Sequence, residues 1–189
     1  MLVKPHFWFP VYPDLVKPIG GVKQIHRVAE QLILLGCQVT LVQHSAIFRP
    51  SWFSSSIKTI SKETWFSLDN LDSNKDVIVL PETFLPVSQS YFPSLKKIIF
   101  NQNCAYTFGL PSLDLWNPSS VLKAYSAPSI IQIWCVSKHD YTFLTRTMML
   151  STNKVSLLTN GIESDICIPP RAKKKYQIAY MPRKNSRDS

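Results

Sequence analysis

The spacing of apolar residues changes twice within the first fifty positions. Residues 7–12 form an aromatic and β-branched run and residues 13–18 are rich in turn formers. From Gly20 and Gly21 onward, Val22, Ile25, Val28, Ala29, Leu32 and Ile33 recur at the spacing of one helix face. Gly36 stands where a left-handed helix cap is expected, and residues 38–42 follow as a strand built on Val39, Leu41 and Val42. The pattern predicts a complete strand, helix, strand unit at the start of the chain.

Four further strands are predicted at residues 76–80, 97–100, 130–136 and 154–158. Val77-Ile78-Val79-Leu80 and Ile130-Ile131-Gln132-Ile133-Trp134 are nearly continuous apolar runs, as expected of strands buried on both faces. Such strands belong to parallel sheets covered by helices, so the expected fold is α/β, a Rossmann-like parallel sheet with helices on both faces. Asn117 and Pro118 supply a cap and a first-turn proline for a helix reaching about Tyr125, while Ser137 and Asp140 have capping-box spacing ahead of a helix over residues 141–150. Residues 47–74 show no clear period, and both a hairpin and a surface excursion are open there.

Composition adds limits rather than chemistry. With 189 residues, 45% of them apolar and 17% charged, the chain is long enough for one domain with an appendage. The four cysteines, Cys37, Cys104, Cys135 and Cys167, lie too far apart for a metal or redox pair and are expected to be reduced and mostly buried. No apolar run is long enough to span a membrane and no signal peptide is apparent, which leaves the cytoplasm as the expected compartment. The net charge of +9 is uneven: residues 171–189 carry seven basic side chains against Asp188 alone. A tail of this kind is a solvated linker or a contact for an anionic membrane surface. Stacking aromatics are sparse around it, so no specific nucleic-acid binding is expected. Pro169 and Pro170 with the lysine run look like a linker, and residues 177–181 like a strand of something new. The expected division is therefore 1–168 as the main domain and 169–189 as linker and first strand of a truncated second domain.

The order of these signals carries a resemblance. Gly20-Gly21 opening an amphipathic helix, Gly36 before a Val-rich strand, Val136-Ser137 opening a helix, Asn160-Gly161-Ile162 after a strand, and a strand ending Met181-Pro182-Arg183-Lys184 together resemble the N-terminal half of GT-B glycosyltransferases. The likeness is greatest to the large retaining family that includes bacterial polysaccharide and lipopolysaccharide synthesis enzymes. It implies transfer of a sugar from a nucleotide-sugar donor, used as substrate with no other cofactor, to a glycan or lipid-linked acceptor held on this domain. It also implies a second, donor-binding domain, on this chain or a separate one. The family's pair of glutamates eight positions apart is missing from Glu30, Glu63, Glu82 and Glu163. The other readings are a nucleotide-sugar epimerase of the same fold and a non-catalytic nucleotide- or sugar-binding module that needs a partner domain.

Candidate site residues follow from strand ends and helix starts. Gly20 and Gly21 would let a diphosphate approach the backbone and the free N–H groups of a helix N-terminus, although a plain tight turn would also use them. Gln102 and Asn103 lie just past a strand, where relatives often place a histidine; as neutral amides they suit hydrogen bonding to a ligand or the capping of a turn. Glu82, also past a strand, is the candidate base or acceptor-binding carboxylate. Ser137, Asn160 and Gly161 join the donor and acceptor cleft through the resemblance, and Arg183 and Lys184 match the basic residues that relatives set against the donor diphosphate. No D-x-D motif and no metal-ligand spacing among His6, His26, His44 and His139 is present, so metal-free transfer is expected.

Overall fold

The computed structural model describes residues 4–108 and 117–161. Seven strands form one all-parallel sheet in the order β3-β2-β1-β4-β5-β6-β7. They are β1 (His6–Pro10), β2 (Gln38–Gln43), β3 (Thr59–Ser61), β4 (Asp76–Pro81), β5 (Lys96–Asn101), β6 (Ile130–Cys135) and β7 (Val155–Leu157). From β1 the chain winds outward to β2 and β3, then returns to β4 on the other side of β1 and continues outward. The Rossmann-like α/β fold expected from the apolar runs is therefore present, with its topological switch point between β1 and β4.

Helices cover both faces of this sheet. α1 (Gly20–Leu34) lays Ile25 and Ala29 onto Phe7, Phe9, Val39 and Leu41. On the opposite face, α2 (Lys62–Phe66), α3 (Pro118–Ser126) and α4 (Lys138–Thr142) bring Trp65, Val121, Tyr125 and nearby Leu144 onto Trp8, Ile78, Leu80 and Ile99. The alternation of the strands divides these two cores: Val77 and Val79 face α1 while Ile78 and Leu80 face the other layer.

The helix ends follow their local chemistry. Gly36 has φ +79, and its N–H donates to Ile33 O at 2.8 Å while Cys37 N–H donates to Leu32 O at 2.9 Å, closing α1 with a Schellman motif. Asn117 Oδ1 accepts from Ser120 N–H at 2.8 Å at the start of α3, with Pro118 in the first turn as expected.

Several expectations are corrected. Residues 47–74 hold neither a hairpin nor a bare excursion: they contribute β3, an edge strand of three residues, and α2, capped by Ser61 Oγ accepting from Thr64 N–H at 3.1 Å. Both elements are too short to show a period. Ile131 is 43% exposed instead of buried on both faces, because a β-bulge makes it an extra residue: Lys97 pairs Ile130 and Ile98 pairs Gln132. The helix expected over residues 141–150 is α-helical only to Thr142 and continues as a π-helical turn, Phe143–Thr147. Among the described cysteines only Cys135 is buried; Cys37 and Cys104 are half-buried, and all three are free thiols. Gly109, Cys167, the expected linker and strand at 169–189, and Arg183 with Lys184 lie outside the described residues.

Candidate functional site

Four strands end at one place. β1 leads through residues 11–19 to the N-terminus of α1, and β4, β5 and β6 lead to Glu82, Gln102 and Ser137 respectively. These are the carboxyl ends at and beside the switch point, where open α/β sheets bind ligands.

α1 starts without a side-chain cap. Its N-cap is Ile19, which offers no oxygen, and no acidic residue stands in its first turn, whereas α2, α3 and α4 are capped by Ser61, Asn117 and Ser137. Gly20 and Gly21 are the first two helical residues, and neither has the positive φ that would demand glycine. A Cβ built on Gly21 would stand 3.2 Å from Oε1 of Gln102, while one on Gly20 would meet nothing within 4 Å. Gly21 thus allows close approach of α1 to the loop after β5, and Gly20 leaves the helix start open to a ligand.

Gln102 connects this turn to a buried carboxyl group. Its backbone N–H donates to Glu82 Oε2 at 3.1 Å. Glu82 is only 3% exposed, and burial pushes its pKa up to about 7, outweighing the backbone N–H groups of Gln102, Glu82 and Asn103 that favour the carboxylate. The neighbouring charge of Asp140 raises it further. Glu82 is therefore divided between its acid and carboxylate forms near neutral pH.

Asp140 extends the cluster to α4. Its Oδ1 accepts from Cys104 N–H at 3.1 Å and its Oδ2 from the Ser137 hydroxyl at 2.6 Å, while its own N–H donates to Ser137 Oγ at 3.1 Å. In a capping box the acidic side chain would reach back to the cap residue's N–H. Here it bridges the cap hydroxyl to the loop after β5. Beneath, Asn101 is fully buried with Nδ2 donating to Thr107 Oγ1 at 2.9 Å and Tyr125 OH at 2.7 Å. Asn103 turns back on its own loop, its Oδ1 accepting from Ala105 N–H at 2.9 Å.

Gly21, Gln102, Asn103, Glu82 and Ser137 are thus joined by contact or short hydrogen-bonded links. Asn160 and Gly161 are exposed after β7, four strand positions from β1, roughly 19 Å at the usual strand spacing. Nothing links them directly to the glycine turn. The sequence reading omitted Asp140 and Asn101 from the site; the Ser137-x-x-Asp140 spacing was visible, but the Cys104 bond comes only from β5 and β6 lying side by side. A groove between the 3-10 segment Glu82–Ser90 and α3, lined by Pro86, Gln89, Ser120, Lys123 and Ala127, is separate from these residues.

Among the described residues no helix is long and apolar enough to cross a membrane, and no group of three His, Cys, Asp or Glu side chains is placed to hold a metal ion. No protein-family model matches the chain, and no curated protein matches its sequence.

Proposed function

We propose that this chain is the acceptor-side domain of a GT-B-type glycosyltransferase, working on a nucleotide-sugar donor and a glycan or lipid-linked acceptor. The observation that carries this reading is the contact of Gly21 with Gln102 above buried Glu82, beside an uncapped helix start at the switch point. The free N–H groups and dipole of that helix suit a diphosphate. Glu82, partly protonated near neutrality, suits an acceptor hydroxyl as hydrogen-bond donor or as base. Transfer would then depend on positioning of the two substrates and on electrostatic stabilisation of the leaving diphosphate.

The test is calorimetric titration of the chain with a panel of nucleotide sugars and oligosaccharide acceptors, followed by a transfer assay. Saturable binding that Gly20→Ala weakens supports the reading, and transfer establishes the enzyme. Binding without transfer would point instead to a nucleotide- or sugar-binding module that needs a partner domain. Binding of neither class overturns the proposal.

A further inference from the structure

We propose that the groove between the 3-10 segment Glu82–Ser90 and α3 binds a small organic carboxylate with an apolar body. The groove arises from small side chains where two elements meet. Ser120, Lys123, Ala124 and the C-cap Ala127 recur at positions i, i+3, i+4 and i+7, so they share the side of α3 that looks toward the 3-10 segment. Serine and alanine leave a gap there that a leucine would fill, and Pro86 forms the facing wall. The gap has a volume of about 730 Å³, within the range of sites for small organic ligands. Gln89 and Pro128 come together at one end, where Ser129 Oγ donates to Gln89 Oε1 at 2.9 Å and ties the two walls.

The lining sets the chemistry of the ligand. Pro86, Ala124, Ala127 and Pro128 offer apolar surface to a hydrocarbon body. Among the described residues Lys123 is the charged side chain of the groove, and no carboxylate lines it. The ion pairs among those residues are His6 with Asp76 and Arg27 with Glu30, so the exposed ammonium of Lys123 has no carboxylate of its own. Ser120 and Ser126, three residues to either side of Lys123, supply hydroxyl donors.

Two further ammonium groups stand behind the end of the groove. Lys154 Nζ donates to Tyr125 O at 2.8 Å and to Ala127 O at 3.5 Å, which offsets the negative end of the α3 dipole where it would repel an anion. Lys97 is fully buried; its backbone N–H donates to Ser129 O at 2.7 Å and its Nζ to Leu95 O at 2.9 Å and Phe92 O at 3.1 Å. Burial lowers its pKa to about 8, which leaves it mostly charged at neutral pH. Both ammonium groups rest on neutral carbonyls, so the field in the groove is positive. One exposed ammonium between two hydroxyls suits a monocarboxylate. A phosphate would call for guanidinium groups or free helix N–H groups, but no described arginine lines the groove, and Asn117 Oδ1 already holds the Ser120 N–H. This inference is independent of the function proposed for the Glu82 cluster.

The test is ligand-observed NMR titration of the full chain with sodium octanoate, with octanamide as its uncharged counterpart and acetate as the charged group alone. Octanoate should saturate in the millimolar range, as expected for a ligand of this size, and octanamide should bind about fivefold more weakly. Acetate should show no saturation over the same range. Lys123→Gln should bring octanoate to the level of octanamide and leave octanamide unchanged. Ser120→Phe, which fills the groove, should weaken both at least about tenfold. Both positions are exposed, so thermal unfolding should be unchanged. Absence of saturable octanoate binding overturns the proposal, as does acetate binding as tightly as octanoate. Octanoate binding that neither variant alters also overturns it, and would assign the ligand to another basic surface such as residues 171–189.

Discussion

Gly21 and Gln102, eighty-one positions apart, approach until a single methyl group on the glycine would press on the amide at 3.2 Å. The contact ties the start of α1 to the loop after β5 across the switch point. Because Gln102 also donates its backbone N–H to Glu82, whatever moves this loop changes the surroundings of the buried carboxyl group.

The two glycines should respond differently to substitution. Gly20→Ala adds a better helix former in open space and should stabilise the fold by about 0.5 kcal/mol, while its methyl group obstructs a ligand at the helix start. Gly21→Val must displace the Gln102 side chain, and with no positive φ to violate it should cost less than about 1.5 kcal/mol. Thermal unfolding and ligand titration of both variants check this; weaker ligand binding despite a more stable Gly20→Ala protein is the expected signature.

Glu82 should give stability a distinct pH dependence. Its folded pKa of about 7 lies above the value of 4.5 for a free side chain, so between these the native state binds more protons than the unfolded chain. Its contribution to stability therefore falls as pH rises from 4.5 to 7, by about 3 kcal/mol in total. His26 opposes it: burial, with Arg49 and Arg27 nearby, lowers its pKa to about 4, so its contribution falls as pH drops from 6.5 toward 4. Urea denaturation of Glu82→Gln across pH 4 to 8 should show the opposing slope of His26, joined by His6, whose pKa burial also lowers, with a gain over the parent chain that is largest above pH 7.

Asp140→Ala removes the acceptor for Cys104 N–H and for the Ser137 hydroxyl together. With both donors at least half-buried, a loss of about 2 to 3 kcal/mol is expected. Ser137→Ala leaves the Cys104 bond in place and removes the helix cap together with the hydroxyl's bond to Asp140 Oδ2, which should cost about 1 kcal/mol. Equal losses in denaturant melts would show that the bridge to Cys104 contributes nothing beyond the cap.

At Gly36 a Cβ would clash with Lys4 Nζ, but that atom ends a flexible chain and can move aside. The left-handed backbone remains as the cost, so Gly36→Ala should destabilise by about 1 to 2 kcal/mol. Adding Lys4→Ala should not restore the loss; full rescue in thermal melts would make the steric contact the cause instead.

The sequence alone determined the elements whose signal is local and long enough to show a period. The heptad-scale face of α1, the Gly36 cap, the Asn117-Pro118 start and the nearly continuous apolar runs of β4 and β6 each reflect forces acting within a few residues. Parallel sheets bury both faces, so those runs also indicated the fold class. Short elements escaped: β3 and α2 have three and five residues, fewer than a helical period needs to be recognised. Ile131 was misjudged because a bulge depends on the register with β5, which no single strand encodes. Only the tertiary structure decided the site, by bringing Gly21 to Gln102, Gln102 to Glu82 and Asp140 to Cys104. These contacts come from strand order, and strand order is set by packing of distant segments rather than by the residue types at the strand ends. The raised pKa of Glu82 has the same origin, since a carboxyl group next to Pro81 in sequence becomes buried only when β5 and its loop close over it.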